Sequence, residues 1–307
     1  FVNLRYIFYT ISIWFILKEI KFDKRFFYIT LFIYLFFLID GYFQFFTGEN
    51  LLGYNMASGR ITGIFKDEYI FGSYIQKAIP IMITLFFLTF EKNIIDKSIY
   101  FLLVLVLSTI IILLSGDRAA ILLFVFFLAI SCLFIKSYRK IFLINFLLSG
   151  VILFSIVNFG VGKNLAALDA RYNPTSKTNA HNTQTIITHP ILEHIPRDYV
   201  GHFLVVKEMT KDNMYLGKGI KSFRLMCRGK LGNFYPVDGG VCSTHPHNYY
   251  LQSLSAAGLF GLFFLSSIFV LISIKMLNIF FGLFKKEIQS ELMIVSTITV
   301  FVYLWPL

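Results

Sequence analysis

His245, Pro246, His247 and Asn248 stand where polar sequence turns, without a gap, into the apolar run that continues as NYYLQSLSAAGLFG to Gly261. Imidazole changes charge near neutral pH and moves protons to and from reacting groups. Pro246 fixes the backbone between the two histidines. His247 and Asn248 then fall at the start of a helix, where main-chain amides favour an anion. A second polar turn, LLSGDRAAILL, carries Arg118, whose planar, permanently charged guanidinium matches phosphate oxygens. Asp117 leaves two readings open there: a structural Asp–Arg turn, or an arginine presented to phosphate. A polar cluster with water on one side and hydrocarbon on the other is a place to handle a lipid-linked substrate.

The elements that must position these residues follow from composition. Of 307 residues, 57% are hydrophobic, 15% are charged and 37 are Phe. Soluble domains carry roughly 25% charged residues, so the chain reads as an integral membrane protein. Apolar runs long enough to cross hydrocarbon fall near residues 1–17, 26–46, 71–90, 98–114, 119–135, 141–159, 248–274 and 292–307. Each must satisfy its own main-chain hydrogen bonds in lipid, so the expectation is all-α: a polytopic helical bundle of about eight spans. Residues 1–159 hold six spans, 160–247 one large outer loop, and 248–307 two spans. The chain begins at Phe1 and ends in an apolar run, and it is expected to be a fragment lacking helices at both ends.

Orientation comes from the short loops. Lys18, Lys21, Lys24 and Arg25 share one; Lys92 and Lys97, then Lys136, Arg139 and Lys140, then Lys275, Lys285 and Lys286 fill three more. The positive-inside rule puts these four loops in the cytoplasm. The turn at 115–118, residues 47–70 and the long loop 160–247 then lie outside. Part of the net charge of +11 is in that outer loop, which suggests an anionic partner such as pyrophosphate or an acidic sugar, or a plain solvated face. Nucleic acid is not expected there. Membrane lipids are implied partners throughout.

The remaining polar residues are weaker signals. Asp40 lies near the outer end of the second span and reads as snorkelling to the interface more readily than as functional. Arg60, Lys66, Asp67 and Glu68, in GRITGIFKDEYIFGSYI, precede the third span and read as interfacial charges. His181, His189 and His194 match no compact zinc spacing, so no metal is expected. Residues 199–211 read as a helix with Tyr199, Phe203, Val206 and Met209 on one face. Cys132 reads as inert packing. Cys227 and Cys242 flank a Gly-rich stretch. If the outer side is oxidising, a disulfide between them closes a loop of about 15 residues and contributes about 3 kcal/mol. Mass spectrometry finding both thiols free would remove it.

RITGIFKDEYIFGSYI, LLSGDRAA, GKGIKSF and HPHNYYLQSLSAAGLFG follow one another on one side of the membrane. In order and topology they resemble the O-antigen ligase and O-antigen polymerase superfamily of bacterial polysaccharide assembly, over Arg60 to Gly261. The resemblance implies a helical membrane glycosyltransferase of the bacterial inner membrane with a periplasmic active side. Its donor would be a glycan on undecaprenyl pyrophosphate, its acceptor another glycan or lipid A–core, and it would need no metal and no cofactor. By position, His247 resembles the family's essential histidine, Arg118 the arginine of its Ser-Arg or Gly-Glu-Arg turn, and Arg60 the arginine opening the first motif. The implied chemistry makes His247 the general base or acceptor-positioning group, with Arg118 and Arg60 on the pyrophosphate. Glu68 is the runner-up base, and His245 and Asn248 belong to the substrate site. Asp117 stands where Glu or Ser is commoner. Ala256 and Ala257 stand where an acid often precedes the glycine, so no acid is assigned there. A transporter or flippase of the same lipid-linked sugars is the alternative from another class. It expects charges along a central path, whereas Asp40 and Lys77 are the few ionisable groups within spans.

Overall fold

The computed structural model describes residues 24–57, 59–66, 68–90, 98–159, 197–227, 245–284 and 290–305. The expected span 1–17, Asp67, His181, His189, His194, Cys242 and the lysines at 18, 21, 92, 97, 285 and 286 lie outside the described residues. The chain divides into two compact units, Phe1–Asn173 with Ile288–Thr299, and Pro174–Glu287 with Val300–Leu307.

Among the described residues, five long helices build the first unit: α1 Lys24–Thr47, α2 Phe71–Thr89, α3 Ser98–Ser115, α4 Arg118–Phe134 and α5 Arg139–Phe159. Their bounds agree with the apolar runs to within about two residues, because run length is itself the signal. The bundle closes on aromatic and aliphatic side chains such as Phe86, Phe101, Phe124, Phe127 and Phe142, all buried. Polar contacts tie helices together inside this apolar packing: the Tyr34 and Ser108 hydroxyls lie 2.6 Å apart, and the buried Thr109 hydroxyl donates to Asn145 Oδ1 at 3.1 Å. In hydrocarbon such contacts contribute about 0.6 kcal/mol each. Where α4 ends, Arg139 donates from Nε to the Cys132 carbonyl and from Nη2 to the Leu133 carbonyl, both at 3.0 Å. A cation thereby satisfies the last carbonyls of a helix. In the same turn Tyr138 is buried; burial first, and the Glu291 carboxylate second, push its phenol up to about 12.

The second unit holds α6 Arg197–Thr210, the single turn α7 Ser222–Met226 and α8 Tyr249–Phe284. Val205, Val206, Met209, Phe223 and Cys227 form its small core, with Met226, Leu251 and Leu254 packed against it. α8 runs ten residues past the expected 248–274, so Lys275 is an exposed residue within the helix rather than in a loop. The other correction concerns the face of α6. Phe203 is 49% exposed, while His202 is 3% exposed and shares the buried face with Val205, Val206 and Met209. The last helix, α9, is Glu291–Tyr303.

Three of the described helices, α1, α2 and Tyr249–Gly282 of α8, are long and apolar enough to cross a membrane on length and composition. The lipid-like surface agrees. Phe32 of α1 and Phe260, Phe263, Phe264 and Leu271 of α8 are exposed, a density of apolar side chains that water does not tolerate on one face. α8 is not continuous. Gly258, at φ 63° and ψ −155°, breaks it. The 26 residues after the break span about 39 Å as a helix, more than the roughly 30 Å hydrocarbon core requires.

Candidate functional site

At the end of the first unit where α1 finishes and α4 begins, a short loop is built on two polar residues of α1. Asp40 and Gln44, one turn apart on α1, both have side chains closed to solvent. Asp40 Oδ1 accepts from the Leu51 amide at 2.9 Å, and its Oδ2 from Asn50 Nδ2 at 3.4 Å. Asp40 is therefore not a snorkelling group but an anchor. Gln44 does more: its Oε1 accepts from the Thr62 and Gly63 amides at 2.9 and 2.7 Å, and its Nε2 donates to the Tyr54 carbonyl at 3.0 Å. A buried amide satisfies three main-chain groups of one loop, and the loop carries Arg60. Gln44→Leu strands those groups and is expected to cost about 3 kcal/mol or more. Thermal unfolding in detergent, together with new protease cleavage between residues 48 and 62, measures it.

Residues 69–74, in the second half of the first motif, hold this end together. The Arg60 guanidinium carbon lies 4.8 Å above the centre of the Tyr69 ring, a cation–π contact. Phe71 is fully buried, and a Cβ at Gly63 would lie 2.7 Å from its ring. A Cβ at Gly72 would overlap the Ser115 hydroxyl and lie 2.9 Å from Asp117 Cβ; only glycine lets α2 come this near the turn before α4. The Ser73 hydroxyl then donates to Asp117 Oδ2 at 2.6 Å, and Asp117 Oδ1 accepts from the Ala120 amide at 3.2 Å. Asp117 is the N-cap of α4 and a clamp to α2. Arg118, the first residue of α4, is exposed at the mouth of the turn. Glu68 is exposed as well, with its amide donating to the Phe65 carbonyl.

In the second unit the histidines expected to act together do meet. The rings of His245 and His247 are 4.3 Å apart between centres, and both residues are exposed. His247 has φ 52°, the left-handed region that few non-glycine residues enter. Strain of this kind persists only where the surroundings enforce it. Asn248 supplies the enforcement on one side. Its Oδ1 accepts from the Tyr250 and Leu251 amides at 2.9 and 3.1 Å, capping α8. The helix-start amides expected to attract an anion are thus engaged by Asn248 itself. Below His247 lies a third imidazole, His202 of α6, with ring centres 5.3 Å apart. Sequence reasoning missed it because Phe203 outweighed it on hydrophobicity; the spacing 202, 205, 206, 209 was the available signal. Among the described residues, no three His, Cys, Asp or Glu side chains converge on a position that would hold a metal ion. Cys227 is buried and disulfide-bonded, while Cys242 lies outside the described residues.

The GKGIKSF stretch docks on the break in α8. The Lys218 and Gly219 amides donate to the Ser255 and Ala256 carbonyls, both at 2.9 Å. In the reverse direction the Leu259 amide donates to the Met214 carbonyl at 2.8 Å. Carbonyls and amides that a helix break would orphan are therefore paired by a loop. Gly258 leaves the room this approach needs: main-chain atoms of Met214 and Tyr215 lie where its Cβ would stand. Gly217 faces it at φ 69°, with Ala257 N at 2.7 Å from where a Cβ would stand.

Comparison with known proteins gives one result. The family model for O-antigen ligase matches residues 103–266, more than half of the chain. Arg118, His202, Lys218, His245, His247, Asn248 and Gly258 fall inside the match; Arg60 and Glu68 fall outside it. No curated protein and no solved structure matches.

Proposed function

The chain belongs to the O-antigen ligase family, and from that premise we propose that it is a membrane glycosyltransferase of bacterial surface polysaccharide assembly. The observation that supports this reading best is the histidine pair held at the capped start of α8, in a strained backbone that stability alone does not favour. The donor is a glycan on undecaprenyl pyrophosphate, and the acceptor is a hydroxyl of lipid A–core or of another lipid-linked glycan. The setting is the inner membrane, with about eight crossings and the reacting groups on the periplasmic side.

The reaction requires two kinds of group. The acceptor hydroxyl loses its proton to His247 as its oxygen bonds to the anomeric carbon. The bond from that carbon to the pyrophosphate breaks, and undecaprenyl pyrophosphate departs with the electron pair. Arg118 and Arg60 stabilise the charge that builds on it. Glu68 is the second candidate base, and His245 and Asn248 line the acceptor side. The displacement is expected to invert the anomeric centre. Cys227 and Cys242 form the disulfide of the outer loop.

The test is transfer by the complete protein reconstituted in lipid, given its cognate undecaprenyl-pyrophosphate oligosaccharide with and without lipid A–core. A ladder without core identifies a polymerase. A single shift of the core identifies a ligase. If neither product forms while the donor moves between leaflets, the protein is a transporter and this reading fails.

A further inference from the structure

The sequence of rings running inward from His247 points to a second working histidine, and we infer that His202 is a positioning residue for His247. The inference rests on the reading of His247 as the proton acceptor. His202 is 3% exposed, and both its ring nitrogens are closed to solvent. One side of its ring meets Phe223 nearly edge-on, at 5.7 Å and 75°. It also meets the His247 ring, at 5.3 Å and 32°. His245 lies beyond His247. The order from core to solvent is Phe223, His202, His247, His245.

Packing does not account for this histidine. Its helix face is otherwise Val205, Val206 and Met209, with Phe223 opposite. A phenylalanine at 202 would continue that face with no polar atoms to withdraw from water, and burying polar atoms costs stability. Imidazole is justified by what it touches. Asn248 and Pro246 fix the main chain around His247, leaving its side-chain torsions to be settled. The rings make no hydrogen bond to each other as they stand, but with centres 5.3 Å apart small side-chain rotations bring a nitrogen of each to the roughly 2.9 Å of a shared hydrogen bond. That bond would fix which nitrogen of His247 carries its proton and turn the other, as proton acceptor, toward the substrate. Bases elsewhere are oriented by such a third group. His202 gains and loses no proton in this step. His247 donates its inner N–H to His202 and takes the acceptor's proton on the outer nitrogen.

His202→Phe keeps the ring and removes both nitrogens, and His202→Gln restores a hydrogen-bonding group. In the lipid-reconstituted protein, His202→Phe is expected to lower kcat about 10- to 100-fold, with KM within about twofold and a melting temperature no lower than the parent's. His202→Gln is expected to recover much of that loss. Independently of turnover, 15N spectra of histidine-labelled protein are expected to show one His247 tautomer in the parent and a mixture in His202→Phe. Wild-type kcat in His202→Phe overturns the inference, as does an unchanged His247 tautomer. Equal loss in both variants together with a fall in melting temperature also overturns it, by reducing His202 to packing. If the parent itself transfers no glycan, the function reading fails on its own, and the tautomer comparison still decides this one.

Discussion

His247→Ala is expected to lower glycan transfer about 10²- to 10⁴-fold, the range a positioned proton acceptor contributes, with the fold intact. The residue is exposed, so no core is lost. The loss is expected in kcat, since the proton moves only as the new bond forms. Alanine inherits the left-handed backbone at φ 52°, which it tolerates poorly, so local strain mixes with the chemical effect in this variant. His247→Asn removes that ambiguity. Asparagine enters the left-handed region more readily than most residues, and it cannot act as a base near neutral pH. Both variants are expected to lose activity to the same extent, and Asn is expected to melt within about a degree of the parent. Retained transfer by a well-folded His247→Asn protein would move Glu68, the second candidate, to first place as base.

Gly258→Val carries the largest expected effect on stability. At φ 63° and ψ −155° the backbone lies in a region open to glycine and strained for any other residue. A Cβ there would overlap the Tyr215 carbonyl group and the Met214 carbonyl oxygen. These are main-chain atoms, so no side-chain rotation relieves the clash. Strain of about 1–3 kcal/mol and overpacking of similar size together give roughly 3–5 kcal/mol. Folded yield in detergent and the melting temperature measure it. Gly150→Ala is the control. It sits in α5 with nothing beyond its own local helix backbone within 4 Å of its Cβ position, and its effect is expected to stay within about 1 kcal/mol.

What could be read from sequence divides along physical lines. α1 to α5 were legible to within a residue or two because lipid imposes one long, simple requirement on a segment. The His245–Asn248 stretch was legible as a polar cluster at a helix start, where the two rings meet and Asn248 caps α8, because polar residues rarely crowd the start of an apolar run without reason. Asp40 was misjudged: its depth in the span was right, but its partners are the amide of Leu51 and the side chain of Asn50 in a loop about ten residues on, and no local pattern announces that. His202 was hidden by ranking Phe203 above it, although burial followed the periodicity rather than the hydrophobicity. The break at Gly258 was hidden more deeply. A glycine in an apolar helix reads as helix packing, and here its partners are main-chain groups of Met214 and Tyr215, which leave no trace in side-chain types.

That pairing also has a meaning for biosynthesis. A helix broken near a bilayer leaves amides and carbonyls that hydrocarbon cannot satisfy. Chains grow from the N-terminus at about 5–20 residues per second, so Met214–Gly219 is finished some seconds before Gly258 is added. The groups that will close the break already exist when the break is made. α8 can therefore be threaded, interrupted and repaired in a single pass of the ribosome, and a circular permutant that makes 249–284 before 214–219 is expected to insert this helix poorly.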